Sequence, residues 1–162
     1  MKIKTIQAEI EIYASKAELE REDLQLLERA EEAREMAYAP YSNFKVGAAV
    51  LLENGTIVIG NNQENAAYPS GLCAERVAVY AAAAQHPLTR IMKIAITAEA
   101  PTYTIMQPVA PCGACRQSIL EYELQQQSDI VLLLHGEKGE VYRIKGLKQL
   151  LPLYFGQESI LG

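Results

Sequence analysis

Tryptophan is absent from this chain, and phenylalanine and histidine occur only twice each among its 162 residues. Basic residues are also scarce, because 15 Lys and Arg stand against 20 Asp and Glu, which gives a formal net charge of -5. This acidic balance argues against nonspecific binding to nucleic acid, since such binding depends on clustered Lys and Arg. We therefore expect no nucleic-acid partner.

Long apolar segments are missing as well. The longest unbroken apolar run is Val77–Ala84, which is far short of the roughly 20 residues that a membrane-spanning helix needs. The first residues, Met1–Thr5, lack the apolar core of a secretory signal. With 49% hydrophobic and 22% charged residues, the composition is typical of a globular protein. We expect a cytoplasmic protein without a membrane partner, with one domain at 22–162 and an N-terminal extension at 1–21.

An alternation of strand and helix patterns follows the extension. Two apolar runs, Val46–Leu52 and Thr56–Gly60, are joined by Asn54-Gly55 and predict a hairpin, because an Asn-Gly pair favours the tightest hairpin turns. Further along, helix and strand patterns alternate in the order helix, strand, helix, strand, strand: Cys73–Gln85, Ile91–Thr97, Cys112 to about Leu124, Ile130–Leu134 and Val141–Ile144. This order predicts an α/β domain in which helices cover a mixed sheet.

Two elements are predicted ahead of the hairpin. Alternating apolar residues from Ile6 to Ile12 have the period of a half-buried strand. Apolar residues at helical spacing then predict a helix with Asp23 as a candidate N-cap. Pro40 should end this helix near Tyr38 or Ala39, because the residue before a proline disfavours helical geometry.

The three cysteines lie in two short motifs, Cys73-Ala74-Glu75 and Pro111-Cys112-Gly113-Ala114-Cys115. An odd number of cysteines without a secretory signal argues against a disulfide framework. Each motif begins a predicted helix, so the three sulfurs can converge if the strands after these helices are parallel neighbours. Sulfur ligands favour zinc, and three protein ligands leave a fourth position for water, as in catalytic zinc sites.

Other interpretations of the cysteines stay open at this point. A Cys-x-x-Cys pair is equally typical of a thiol oxidoreductase, and buried cysteine is often only a small apolar side chain. A structural zinc would need a fourth ligand, for which His86 and His135 are the available histidines. Neither histidine has ligand spacing, and we expect each to lie on the surface or in a loop.

Two charged residues adjoin the proposed zinc ligands. Glu75 lies in the first turn of its helix, where a carboxylate could move a proton from zinc-bound water to a substrate nitrogen; alternatively it only complements the helix dipole. Arg76 is three residues after Cys73 and can reach its sulfur. Since three thiolates on one dication leave a net charge of -1, Arg76 could offset that charge; the alternative is a surface salt bridge.

These motifs closely resemble the cytidine deaminases of pyrimidine salvage. Cys-x-Glu followed by Pro-Cys-x-x-Cys is the zinc-deaminase signature with cysteine in place of histidine. Two further stretches, Tyr38–Ala49 and Asn62–Tyr68, are similar to the same family, and the resemblance covers about Leu24–Phe155. It implies the short-chain homotetrameric branch, with a three-layer α/β/α fold and a mixed five-stranded sheet, to which the N-terminal strand would add a sixth.

The resemblance also implies site roles. Zinc would be bound by Cys73, Cys112 and Cys115, with Glu75 as the proton shuttle. The residues implied in substrate binding are Phe44 against the pyrimidine ring, Asn62 and Glu64 on the sugar hydroxyls, Ala74, and, from a neighbouring subunit, Tyr68 and Phe155. Residues i and i+2 of an extended segment face the same way, which suits an Asn-x-Glu grip. Without the resemblance, a polar turn and ordinary core packing would explain these residues.

The implied reaction is hydrolytic deamination of cytidine or deoxycytidine, in which zinc-bound hydroxide attacks C4 of the base. The negative charge fits a neutral nucleoside better than a nucleotide, because no basic cluster is present to hold a phosphate. Three other functions remain open: deamination of nucleoside antibiotics or RNA bases, a structural or inactive zinc subunit, and a thiol oxidoreductase that uses Cys112 and Cys115.

Overall fold

A mixed six-stranded sheet forms the centre of the computed structural model, which describes residues 1–161. The strands are β1 (Glu11–Tyr13), β2 (Lys45–Leu52), β3 (Ile57–Asn61), β4 (Ile91–Glu99), β5 (Val131–His135) and β6 (Val141–Lys145). Their order across the sheet is β1-β6-β5-β4-β2-β3. The pair β4–β5 is parallel, and all other neighbouring pairs are antiparallel. The predicted α/β class and the added N-terminal strand are confirmed.

Helices cover both faces of this sheet. They are α1 (Arg21–Glu35), α2 (Ala74–Gln85), α3 (Gly113–Gln126) and α4 (Glu158–Leu161), with single 3-10 turns at Lys16–Glu18, Tyr68–Ser70 and Leu147–Gln149. Alternate strand residues point to opposite faces. Accordingly Val50 packs with α2 and α3 in one core, whereas Ala49 packs with α1 in a second core on the other face. The molecule therefore has the predicted three-layer α/β/α arrangement.

The hairpin between β2 and β3 forms as predicted. Asn54 and Gly55 lie in the turn, and Gly55 has φ 81°, a conformation that glycine adopts without a steric penalty. The Asn54 side chain accepts a hydrogen bond from the Thr56 N–H at 3.0 Å. Leu51 pairs with Ile57 just inside the turn, so β3 begins one residue later than the sequence pattern suggests.

Parallel pairing of β4 and β5 fixes the positions of two helices. Helix α2 leads into β4 and α3 leads into β5, and both helices pack against the same core. Because the two strands run in the same direction, the two helices do as well. Their N-terminal ends therefore lie side by side at one edge of the sheet, which is the arrangement that the cysteine motifs require.

The N-terminal strand is shorter than predicted. Ile6 and Ile10 lie outside it and are 44% and 42% exposed, because only the three residues of β1 pair with β6. The Glu9 N–H donates instead to the Gln149 side chain at 3.0 Å. Tyr13 does contact the core on the α1 face, so the extension is attached to the domain by side chains as well as by backbone.

The limits of α1 also differ from the prediction. Asp23 is not the N-cap; it lies in the first turn, where its buried carboxylate pairs with Lys93 and, at 3.5 Å, with Arg143. The helix ends at Glu35 rather than near Tyr38. The reason is tertiary: the Tyr38 N–H donates to the Asn62 carbonyl at 3.0 Å and its carbonyl accepts from the Glu64 N–H at 2.9 Å.

Within residues 1–161, no helix combines the length and the apolar character needed to cross a membrane.

Gly47 provides a test of the contact between α1 and β2. A Cβ atom at Gly47 would lie 2.0 Å from the Ala30 carbonyl oxygen and 2.5 Å from the Arg34 nitrogen, both backbone atoms of α1. We expect Gly47→Ala to lower the free energy of unfolding by roughly 1–3 kcal/mol or more, because the helix must move away from the strand. Chemical denaturation measures this change. Gly113→Ala is the matched control, since no atom lies within 4 Å of its Cβ position; equal stability of the two variants would contradict the prediction.

Candidate metal centre and substrate cavity

The three cysteines meet where the N-termini of α2 and α3 lie together. Cys73 and Cys112 occupy the N-cap positions of these helices in extended backbone conformations, and Cys115 lies in the first turns of α3. The Sγ atoms of Cys73 and Cys112 are 4.0 Å apart, and those of Cys112 and Cys115 are 3.6 Å apart. All three sulfurs lie within 4.8 Å of one another.

This geometry fits a zinc ion. Four ligands in a tetrahedron at a Zn–S distance of about 2.3 Å place neighbouring sulfurs about 3.8 Å apart. The two measured separations lie on either side of that value. In the described part of the chain, the metal-binding cluster consists of these three cysteines alone. The donor set therefore has three sulfurs and no fourth protein ligand, which is the composition of a catalytic rather than a structural zinc site.

Neither histidine supplies a fourth ligand. His86 is half-buried at the C-cap of α2, the end of that helix opposite to Cys73. His135 is the last residue of β5 and is only 2% exposed, so the prediction of a surface or loop position is wrong for it. The strand extends one residue beyond the predicted end, and its register places the imidazole 3.8 Å from the Glu31 carboxylate of α1. Burial lowers the pKa of His135.

The electrostatic surroundings favour thiolates. The pKa of Cys73 is lowered to about 5, chiefly by its hydrogen bond with Cys115 and further by Arg76. The Arg76 guanidinium donates to the Cys73 Sγ at 3.7 Å. Two helix N-termini add partial positive charge to the same point. Since the thiolate is the form that binds metal, these surroundings favour the binding of a cation by the three cysteines.

Glu75 lies beside the cysteines in the first turn of α2. It is 4% exposed, and burial raises the pKa of its carboxyl group, with the nearby Cys73 charge acting in the same direction. A raised pKa makes a carboxylate a stronger base and so suits the group to accept a proton and later donate it. Glu75 also lines the cavity described next, so the group can reach a molecule bound there.

A cavity of about 720 Å³ opens onto the cysteines. Most of the residues that sequence reasoning selected line it: Phe44, Asn62, Glu64, Tyr68, Cys73, Glu75, Arg76 and Cys112. Three selected residues do not. Cys115 and Ala74 are fully buried behind the wall, and Phe155 is 60% exposed outside the cavity, with its carbonyl accepting a hydrogen bond from Gln117 at 2.9 Å.

Two polar side chains that line the cavity are held by hydrogen bonds. The Asn62 amide accepts from the Val46 N–H at 2.8 Å and donates to the Phe44 carbonyl at 2.9 Å. The Glu64 carboxylate accepts from the Tyr41 N–H at 2.8 Å and from the Ser42 hydroxyl. These hydrogen bonds lower the pKa of Glu64, with the Ser42 hydroxyl as the largest cause. The carboxylate is therefore fixed in place and ionised.

Several lining residues were not selected from the sequence. Tyr41 and Ser42 lie within the Tyr38–Ala49 motif, whose family resemblance implies no role for either residue. Val109 and Ala110 come from the loop before α3, and no local pattern marks them. Arg116 holds this loop from behind, because its guanidinium donates to the Pro111 and Leu150 carbonyls at 2.8 and 2.9 Å.

Comparison with known proteins agrees with this geometry. Residues 20–129 match the family described as the cytidine and deoxycytidylate deaminase zinc-binding region. The cytidine deaminase of Halalkalibacterium halodurans is 38% identical over 83% of this chain and 95% of its own length. That of Mycobacterium tuberculosis is 41% identical over 81% of this chain and 87% of its own. The cytidine deaminase structure from Burkholderia pseudomallei superposes with a TM-score of 0.70 at 40% identity, covering 81% of this chain and 97% of that one.

Proposed function

The chain belongs to the cytidine and deoxycytidylate deaminases and is a zinc-dependent hydrolytic deaminase, and we propose that it converts free cytidine and deoxycytidine to uridine and deoxyuridine. One observation carries the proposal. Two sulfurs of the three-cysteine cluster, those of Cys73 and Cys112, line the same cavity as the buried Glu75 and the fixed Glu64 carboxylate. Water and the nucleoside are the reactants, and the uracil nucleoside and ammonia are the products.

Cys73, Cys112 and Cys115 would hold the zinc. Bound there, the metal would supply the acidity that turns a water at the open fourth position into a nucleophile near neutral pH. The sulfurs themselves have no further role in the reaction, because as ligands they remain deprotonated. Arg76 donates to the Cys73 sulfur, and we propose that it offsets the excess negative charge of three thiolates and so preserves that acidity.

Glu75 would move the protons. Its carboxylate takes one proton from the attacking water and delivers it to N3 of the ring, which makes C4 more electrophilic. After the C4–O bond has formed, Glu75 carries the second proton to the amino nitrogen, the C4–N bond breaks, and ammonia leaves. Burial raises the pKa of Glu75 and so brings it closer to the value that such two-way transfer requires.

Substrate recognition would divide between the ring and the sugar. Phe44 would pack on the pyrimidine, and Asn62 with Glu64 would bind the sugar hydroxyls. Ala74 is fully buried, so it could contact the base only through its main chain. Arg76 is the one cationic side chain among the described lining residues, and it is occupied by Cys73. With Glu64 ionised at the sugar end, a 5′-phosphate would be repelled, which favours nucleosides over nucleotides.

We further propose that a homotetramer completes the cavity. Tyr68 at its rim is 77% exposed, and Phe155 is 60% exposed outside it. Exposed aromatic side chains of this size are typical of protein interfaces. In a homotetramer Tyr68 and Phe155 of one subunit would close the cavity of a neighbour. A cytoplasmic location stays a prediction.

The activity is tested by a spectroscopic assay. We expect the purified protein to convert cytidine and deoxycytidine to the uracil nucleosides, with activity lost on zinc chelation and restored by added zinc. Cytidine 5′-monophosphate serves as the matched comparison, and its kcat/KM should be at least tenfold lower because of repulsion by Glu64. Preference for the monophosphate, or activity that survives chelation but responds to mild oxidant, would contradict the proposal.

Removal of the Glu75 carboxylate tests the proton shuttle. We expect Glu75→Ala to retain its zinc, as measured by metal analysis, because Glu75 is not a ligand. Its kcat should fall by more than about 10⁴-fold, since general acid–base catalysis contributes ~10²–10⁴-fold per step and one residue serves several steps. Glu53→Ala is the control, as Glu53 pairs with Arg90 outside the cavity lining. A fully active Glu75→Ala variant would eliminate this role.

Arg76→Ala tests the electrostatic role of Arg76. We expect zinc affinity, measured by competition with a chromogenic chelator, to fall by about 10-fold or more, which is the usual effect of losing a group that supports a metal ligand. Turnover at saturating zinc should also fall. Arg90→Ala removes an exposed arginine outside the cavity lining and serves as the control. If Arg76→Ala binds zinc and turns over normally, Arg76 does not tune the site.

A further inference from the structure

We propose that Ser42 is a positioning residue that fixes the Glu64 carboxylate for the sugar, and that Ser42 thereby sets the preference for nucleosides with free sugar hydroxyls. This inference rests on the proposed function. It concerns a residue that lines the cavity but would not itself bind the substrate.

The hydrogen bonds of Ser42 define its role. Its hydroxyl donates its one proton to Glu64 Oε1 and accepts from the Phe44 N–H at 3.0 Å. No proton of this hydroxyl is left for a ligand. Ser42 is also exposed, so it does not contribute to the packing of the core. Its contacts therefore indicate a role in holding other residues of the site.

The remaining donors to Glu64 come from the backbone. The Tyr41 and Ser42 N–H groups donate to Oε2 at 2.8 and 3.3 Å. They persist when the Ser42 side chain is removed, and they bind only one carboxylate oxygen. The Ser42 hydroxyl is the partner of the other oxygen, Oε1. Without it the carboxylate can rotate about its last torsion, because such terminal torsions are broad.

The same hydroxyl connects the two halves of substrate recognition. Through the Phe44 N–H it is joined to the residue that would pack on the ring, while the Phe44 carbonyl is bound by Asn62. The segment from Tyr41 to Val46 is thus attached to both sugar-binding side chains. Loss of the hydroxyl should weaken sugar binding by Glu64 more than it disturbs Phe44, because the Phe44 carbonyl retains its hydrogen bond with Asn62.

Ser42→Ala, assayed with two substrates, tests the proposal. We expect KM for cytidine to rise roughly 5- to 20-fold, because a strong hydrogen bond to a charged group is lost while the two backbone donors to Glu64 remain, with kcat changed by less than about threefold. With 2′,3′-dideoxycytidine, which keeps the 5′-hydroxyl but lacks the 2′- and 3′-hydroxyls that Glu64 would bind, KM should change by less than about twofold. Ser42→Thr keeps the hydroxyl and should restore the wild-type KM. Ser15→Ala, which removes a hydroxyl that caps nothing, is the control.

A double-mutant cycle with Glu64→Ala shows whether Ser42 acts through Glu64. We expect Ser42→Ala to add less than about twofold to KM in the Glu64→Ala background, because coupled residues are not additive. Equal effects on both substrates, additive effects in the cycle, or an unchanged KM would each overturn the proposal. If Glu64→Ala itself leaves KM for cytidine unchanged, or the wild-type enzyme does not act on cytidine, the proposed function fails first and the inference fails with it.

Discussion

The parallel pairing of β4 with β5 is the constraint on which the site depends. It runs from Lys93 opposite Val131 to Thr97 opposite His135. Because each strand is preceded by a helix on the same face, the pairing also orients α2 and α3 alike and joins their N-termini. An antiparallel pair would place the two helix starts at opposite ends of the sheet, and the sulfurs could not meet. The fold thus creates the metal site, and the positive ends of two helix dipoles help to balance its thiolates.

The cavity is lined by two chemically different groups of residues, and different parts of the fold hold them. In the first group, side chains at the helix starts carry shifted pKa values, as the half-buried Cys73 and the buried Glu75 show. In the second group, Asn62 and Glu64 follow β3 and are fixed by backbone groups at the start of β2 and in the segment before it. A nucleoside has the same division between a reactive base and a hydroxyl-bearing sugar.

Much of this arrangement could be predicted from local patterns. The Asn54-Gly55 turn, the apolar strands and the two helix starts depend on neighbouring residues, and the cysteine motifs inherit their positions from those helices. Features that depend on distant pairing could not be predicted. The early end of α1 results from the contact of Tyr38 with the Asn62–Glu64 segment, and the burial of His135 results from α1 lying over β5. Ser42 lies within the Tyr38–Ala49 motif, but its partner Glu64 is 22 positions away, and only the fold brings them together.

The short strand β1 covers an edge of the sheet that could otherwise pair with another protein. Without it, β6 would be the outermost strand, and its free backbone amides and carbonyls would offer a template for adhesion to another sheet. With β1 in place, the boundary strand is only three residues long, and its Glu11 side chain is paired with Arg143 at 2.8 Å. A short, charged edge strand of this kind disfavours edge-to-edge pairing with the sheet of another molecule. Strand β1, which precedes the residues that match the family, therefore protects the edge of the sheet opposite β3 against aggregation.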